Sequence, residues 1–269
     1  RGVLRRLGFA AGFIALLALT AAAFFFALNR NLTGRVQSIE DRLGTWCLPR
    51  PTGGSTLDLD FSAVPAERPR ALQDVFLLLP PTEGGRLPTL RKDTGRLLLE
   101  NYRDPVVFSY PFSQLDEVQL SFDRPEGRAD LAISVVDPAD NRRRSLTLRL
   151  SPFRKTSTPL EALRHGDPVM PKSPLPAIPP LNSKDAIYKV FLEMVPAEDN
   201  TWLKIKIVEL NENEILYSQD CNLAGRDWAS GAVVLRTSFY RKPCSVEFSK
   251  LLLSGTLAGS RLEEVPWQN

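Results

Sequence analysis

From about residue 55 onward the chain alternates between apolar and polar residues, and this alternation narrows the choice of folds more than any other feature. Leu57, Leu59 and Phe61 alternate with Asp58 and Asp60. Val118, Leu120 and Phe122 alternate with Gln119 and Ser121, and Leu131, Ile133 and Val135 form another set. Leu146, Leu148 and Leu150 alternate with Thr147 and Arg149, and Leu203, Ile205 and Ile207 with Lys204 and Lys206. Side chains on a strand point to opposite faces with a period of two, so each run has one apolar and one polar face. Half-buried antiparallel strands carry that pattern, whereas strands of a parallel sheet read as continuous apolar runs. Residues 75–79, 97–100, 106–110, 186–194, 214–219, 231–237, 245–248 and 251–255 complete the strand candidates, with residues 220–230 read as a loop. The expected class is mainly β, an antiparallel β-sandwich over residues 53–262.

Proline breaks the pattern once. Residues 159–180 hold seven prolines, Pro159, Pro168, Pro171, Pro174, Pro176, Pro179 and Pro180. A central strand does not tolerate this density, so the segment reads as an extended strap or a connector between two strand blocks. It contains His165, the only histidine. Residues 137–141 (Asp-Pro-Ala-Asp-Asn) read as a turn, with Arg142, Arg143 and Arg144 as its solvated tip.

The N-terminus is of another kind. Residues 7–28 (LGFAAGFIALLALTAAAFFFAL) contain no charge. At ~1.5 Å per residue they make ~33 Å of helix, enough to cross a ~30 Å hydrocarbon layer. The run exceeds the 7–15-residue apolar core of a signal peptide. The expectation is one transmembrane helix over 7–29, with residues 1–6 cytoplasmic through Arg1, Arg5 and Arg6 and the bulk of the chain periplasmic or otherwise extracytoplasmic. Leu32, Val36, Ile39 and Leu43 share one helical face, which predicts a short helical stalk within residues 30–52. Residues 263–269 are read as a tail.

The closing strands carry a resemblance. Trp202-Leu-Lys-Ile-Lys-Ile-Val-Glu, Asn213-Glu-Ile-Leu-Tyr, Gly231-Ala-Val-Val-Leu-Arg-Thr and Val246-Glu-Phe-Ser-Lys-Leu-Leu-Leu-Ser-Gly255 resemble, over about residues 186–257, the final strands of concanavalin-A-like and laminin-G-like jelly rolls. The resemblance implies two curved antiparallel sheets and, in many members, a glycan-binding face. Glycosidases of that fold carry Glu-x-Asp-x-x-Glu on one strand face. Here Glu209-Leu-Asn-Glu212-Asn-Glu214 lacks the central aspartate and falls in a turn, so no catalytic pair is expected.

Other chemistry is sparse. No nucleophile motif, phosphate loop or zinc spacing occurs, and the expectation is no enzyme activity, no metal and no cofactor. The 34 basic and 31 acidic residues are mixed along the chain, which leaves no footprint for nucleic acid. Cys221 and Cys244, in an oxidising compartment, are either a disulfide or two partly buried thiols, and Cys47 is left over. Trp228 and Tyr240, near Arg226 and Asp227, are the candidate ligand or partner contacts, because an aromatic face beside charged groups holds sugars and also marks protein interfaces.

Two functions follow. The first is a membrane-anchored, non-catalytic accessory subunit of a larger membrane protein complex, whose partners are membrane lipid and other subunits. The alternative is a membrane-tethered glycan-binding or sensing module.

Overall fold

The structure, a computed structural model, describes residues 19–25, 27, 47–49, 54–61, 71–81, 85–91, 93–123, 125–139, 143–183, 185–259 and 261–262. At 47–49, 71, 74, 128 and 239–243 only the backbone is described. Among the described residues no helix is long and apolar enough to cross a membrane. Residues 19–25 are helical, while 7–18, 26 and 28 of the apolar run, and the expected stalk before residue 47, lie outside the described residues.

Among the described residues fifteen strands follow: β1 (Cys47–Pro49), β2 (Ser55–Asp60), β3 (Phe76–Leu78), β4 (Thr89–Leu90), β5 (Leu97–Glu100), β6 (Val106–Phe108), β7 (Phe112–Asp123), β8 (Glu126–Val136), β9 (Arg144–Leu150), β10 (Leu160–Arg164), β11 (Asp167–Pro168), β12 (Ile187–Pro196), β13 (Asn200–Glu209), β14 (Glu214–Ala224) and β15 (Ala232–Leu257). Every pairing is antiparallel.

β15 organises the rest. Its 26 residues would reach ~85 Å if straight, far beyond a domain of this size, so it must bend. Its first part, from Ala232, pairs with β8 on one side and β6 on the other. Its last part pairs with β7 on one side and with β5 and β2 on the other. β7 and β8 are separated by two residues, yet they do not form a hairpin. They run on as one line opposite β15, from Phe112 against Leu257 to Val136 against Ala232. The register slips between Phe239 and Arg241, between Arg241 and Ser245 and between Phe248 and Lys250. Bulges of this kind let strands turn a corner from one sheet into another.

The folded ribbon belongs to both layers of a sandwich. The first sheet runs β3-β6-β15-β8-β9-β10-β11, and the second runs β14-β13-β12-β7-β15 and on to β2 and β5. The alternating apolar residues meet between them: Leu57, Leu59, Val118, Leu120, Phe122, Leu131, Ile133, Val135, Leu146, Leu148, Leu150, Leu203, Ile205 and Ile207 are all buried. Phe248, at the corner, packs its ring 6.4 Å from that of Phe122, which lies 5.7 Å from Tyr188.

Three readings of the sequence are corrected. Residues 231–237, 245–248 and 251–255 are one bent strand rather than three, because both sheets draw their hydrogen bonds from it. Strand β14 continues through residues 220–224, which had been read as loop. The proline-rich stretch opens with β10 and β11, joined by His165 and Gly166, both with positive φ of 54° and 85°. Such a pair makes a mirror-image two-residue turn, and this is the use of the lone histidine.

Beyond β11 the chain is the expected strap. Ile178 and Leu181 are buried, Tyr217 donates its hydroxyl to the Pro176 carbonyl at 3.1 Å, and the Lys172 N–H donates to the Asn222 carbonyl at 3.0 Å. The strap thus covers β14, an edge that would otherwise present unpaired backbone groups.

Gly231 sits where β15 begins, with φ of 134°. A Cβ there would stand 2.2 Å from the Val136 carbonyl oxygen, which is backbone and cannot give way. Gly231→Ala is expected to lower stability by about 2–4 kcal/mol in urea unfolding, combining backbone strain with overpacking. An unchanged midpoint would contradict the placement of this corner.

Candidate functional site

The residues expected to contact a ligand are divided: Trp228 is buried, whereas Arg226 and Asp227 are exposed. Trp228 is buried in the 3-10 turn Asp227–Ala229, at 1 % exposure, and its indole N–H donates to the Ala224 carbonyl at 2.8 Å. The Arg164 guanidinium lies 5.1 Å over its ring. A tryptophan so enclosed is a core residue, and no sugar can stack on it. Arg226 and Asp227 are exposed on an open depression of about 540 Å³. Asp227 is already engaged, with Arg164 at 2.5 Å and Arg144 at 3.2 Å. Tyr240 lies on the bent part of β15, and its side chain is outside the described residues.

Arg144 also departs from its expected place at a solvated tip. It is 7 % exposed, and its guanidinium donates to the Ser230 carbonyl at 2.6 Å, to the Ser230 hydroxyl at 3.1 Å and to the Asp227 carbonyl. Its register partner across the sheet is Arg164. Two arginines of the first sheet therefore clamp the turn that leads into β15. The cluster is structural.

Cys221 and Cys244, left open as a disulfide or two thiols, are both buried, and no bridge joins them in this structure. Cys221 stands opposite Leu203 on β14, whereas the Cys244 N–H, at the corner of β15, donates to Asn101 Oδ1 at 3.2 Å. Of the carboxylate string, Glu209 is buried while Glu212 and Glu214 are exposed, so the three share no site.

The outer face of the second sheet carries the more useful chemistry. The parity that buries Leu203, Ile205 and Ile207 turns Trp202, Lys204 and Lys206 outward. Trp202 is 51 % exposed. It stands between Val195 of β12 and Asn222 of β14. The next rank is Glu117, Glu193, Lys204 and Asp220, and the one beyond it is Gln119, Phe191, Lys206 and Ser218. Lys204 reaches Glu193 at 3.9 Å, and the Gln119 amide donates to Glu117 at 2.8 Å. Lys189 and Lys206 lie 4.7 and 5.8 Å over the Phe191 ring. Lys189 is held below the ordinary lysine range by burial and then by Lys250 nearby.

Beside Trp202 two polar atoms stand without partners among the described residues. The Asn222 Oδ1 is buried and accepts no hydrogen bond, in a side chain only 9 % exposed. Asn200 Oδ1 is in the same state, two residues from Trp202 on the same face of β13. A buried acceptor left unsatisfied costs about 1–3 kcal/mol and calls for an explanation. In the sequence Trp202 stands out only as the lead of a jelly-roll-like strand. The signal for a site was present: a tryptophan at the polar parity of an alternating strand has to face solvent.

No protein-family model matches the chain, and no curated protein does. Among solved structures, the chain is similar to peanut lectin with a 9mer peptide (TM-score 0.44, 9% identity, 75% of this chain and 98% of that one). It is similar also to a Bacillus licheniformis β-glucanase (0.39, 10%, 76% and 99%) and to a carbohydrate-binding module from Bacillus subtilis (0.35, 9%, 68% and 92%). At these values no residue of the neighbours maps onto this chain.

Two outcomes follow from these placements. Arg144→Gln is expected to destabilise the protein by about 3 kcal/mol, since it strips the buried clamp from Asp227 and Ser230, and thermal unfolding measures this. Burial pushes the Cys221 thiol up to about 11 from 9.0, and the Tyr217 hydroxyl up to about 12 from 10.0. Groups whose pKa rises on folding add stability that is full below the ordinary value and is lost as pH climbs through the raised one. Stability is therefore expected to fall from about pH 9 upward, and Cys221→Ala to flatten the fall between pH 9 and 11.

Proposed function

We propose that the sandwich is a non-catalytic carbohydrate-binding module, tethered to a membrane by the apolar segment 7–28, and that it binds saccharide on the outer face of the second sheet. One observation carries the reading: a half-exposed Trp202 that shares the outer sheet face with the polar side chains of Glu193, Lys204 and Gln119. An aromatic face takes the apolar side of a sugar ring, and a carbonyl oxygen accepts from its hydroxyls. Lys204, Glu193 and Gln119 extend the same polar surface toward Phe191, about 14 Å along the sheet at strand spacing. The reading as an accessory subunit would use Trp202 and Val195, both 51 % exposed, as an apolar contact. It leaves the polar ranks of Glu193, Lys204 and Gln119 on the same face unused, which favours a ligand rich in hydroxyl groups.

The face is ill suited to hydrolysis. Glu117 and Glu193 are register partners. A glycosidase keeps one of its two carboxyls protonated in an apolar pocket. Glu193 is half exposed and lies 3.9 Å from Lys204, so it sits in no apolar pocket.

A glycan array with the purified protein, followed by titration of the best binder, tests the reading. Trp202→Ala is expected to weaken binding at least tenfold, about 1.4 kcal/mol. Stability should change by less than about 1 kcal/mol, because the side chain is at the surface. An array without saccharide binding, or a variant that binds as tightly as the parent, would overturn the proposal.

A further inference from the structure

The first sheet also presents an outer face, and its charge is differently arranged. Ala132 of β8 stands between Arg236 of β15 and Arg149 of β9 in register. Neighbouring strands lie ~4.8 Å apart, so the two arginines rise about 10 Å from each other over a side chain of one methyl group. Arg236 is more than half buried in its surroundings and makes no ion pair with a described residue. Burial and then the Arg149 charge hold its guanidinium below the ordinary range. A cation in that state gains from any anion that settles beside it.

Beside Arg236, which flanks it without lining it, lies a depression of about 280 Å³ lined by Arg149, Arg154, Lys155, Ala132 and the carboxylate of Asp130, with hydroxyls from Ser151, Thr156 and Ser238. Thr156 Oγ1 is buried and unpartnered, although its backbone N–H is satisfied by the Ile178 carbonyl. Two carboxylates reach the area, Asp130 on Arg154 at 3.0 Å and Glu161 on Arg149. They leave Arg236 and Lys155 uncompensated.

We propose that this depression is an oxyanion site, which takes the sulfate or phosphate group of a ligand. A tetrahedral oxyanion uses what is concentrated here: a guanidinium fork, a second cation and hydroxyl donors. The volume lies at the small end of ligand pockets, ~300–1,000 Å³, and suits one such group with the unit that bears it. The site is on the opposite sheet from Trp202, so it stands or falls independently of the saccharide reading.

Calorimetric titration of the full chain with inorganic sulfate and phosphate, against chloride at equal ionic strength, tests this. Saturable binding is expected for the two oxyanions and none for chloride. Arg236→Gln, which removes the cation flanking the depression, should weaken it about tenfold. Lys155→Gln, on the exposed rim, should weaken it severalfold without threatening the fold, and Trp202→Ala should leave it unchanged. Glucose 6-sulfate and glucose 6-phosphate separate the sources: tighter binding than the inorganic ions assigns the group to a saccharide ester, and equal binding assigns the free ion. Sulfate stabilises proteins generally by exclusion from their surface, so a rise in melting temperature alone does not count. No saturable binding, or equal affinity in Arg236→Gln and Lys155→Gln, would overturn the site.

Discussion

The structure depends on one pairing, the line of hydrogen bonds between residues 112–136 and β15. Both partners pass from one sheet to the other, and they bend together where the register slips beside Arg241, Ser245 and Phe248. A sandwich held by separate hairpins relies on side-chain packing to keep its layers in place. Here the backbone ladder itself crosses the corner, with Phe122 and Phe248 packed on its inner side. The positions of β6, β8 and β9 in one layer and of β2, β12 and β13 in the other are counted from this ribbon.

That constraint also sets which side chains face outward, and hence where ligands can bind. With the apolar set of each strand turned inward, the two outer faces receive the residues of opposite parity. On the second sheet these are Trp202, Lys204, Glu193 and Glu117, in ranks fixed by register. On the first sheet they are Arg236, Ala132 and Arg149. The two faces differ in chemistry, one aromatic and amide-bearing, the other cationic and rich in hydroxyls. The Arg144 and Arg164 clamp on Asp227 fixes the entry to β15.

Much of the sandwich was legible in the sequence, because period-two alternation is a local signal. Leu146, Leu148 and Leu150, or Leu203, Ile205 and Ile207, announce both their strand and its buried side. The bent ribbon was not legible, since proline and charge at 240–244 look like the end of a strand, and only pairing across more than a hundred residues keeps them in one. The site was half legible. Trp228 drew attention because Arg226 and Asp227 adjoin it, yet in the structure Arg144 and Arg164 neutralise that charge from afar and the ring is buried. Trp202 was in plain view at an outward parity. Its orphaned neighbours Asn200 and Asn222 come from different strands, and no reading along the chain brings them together.

The most direct test of the binding face uses the indole N–H signals of the four tryptophans in an NMR titration with neutral hexose oligosaccharides. The Trp202 signal is expected to shift with saturation, while that of Trp228, hydrogen-bonded to the Ala224 carbonyl, stays in place. A Trp202 signal that does not move while saturable shifts appear elsewhere would contradict it.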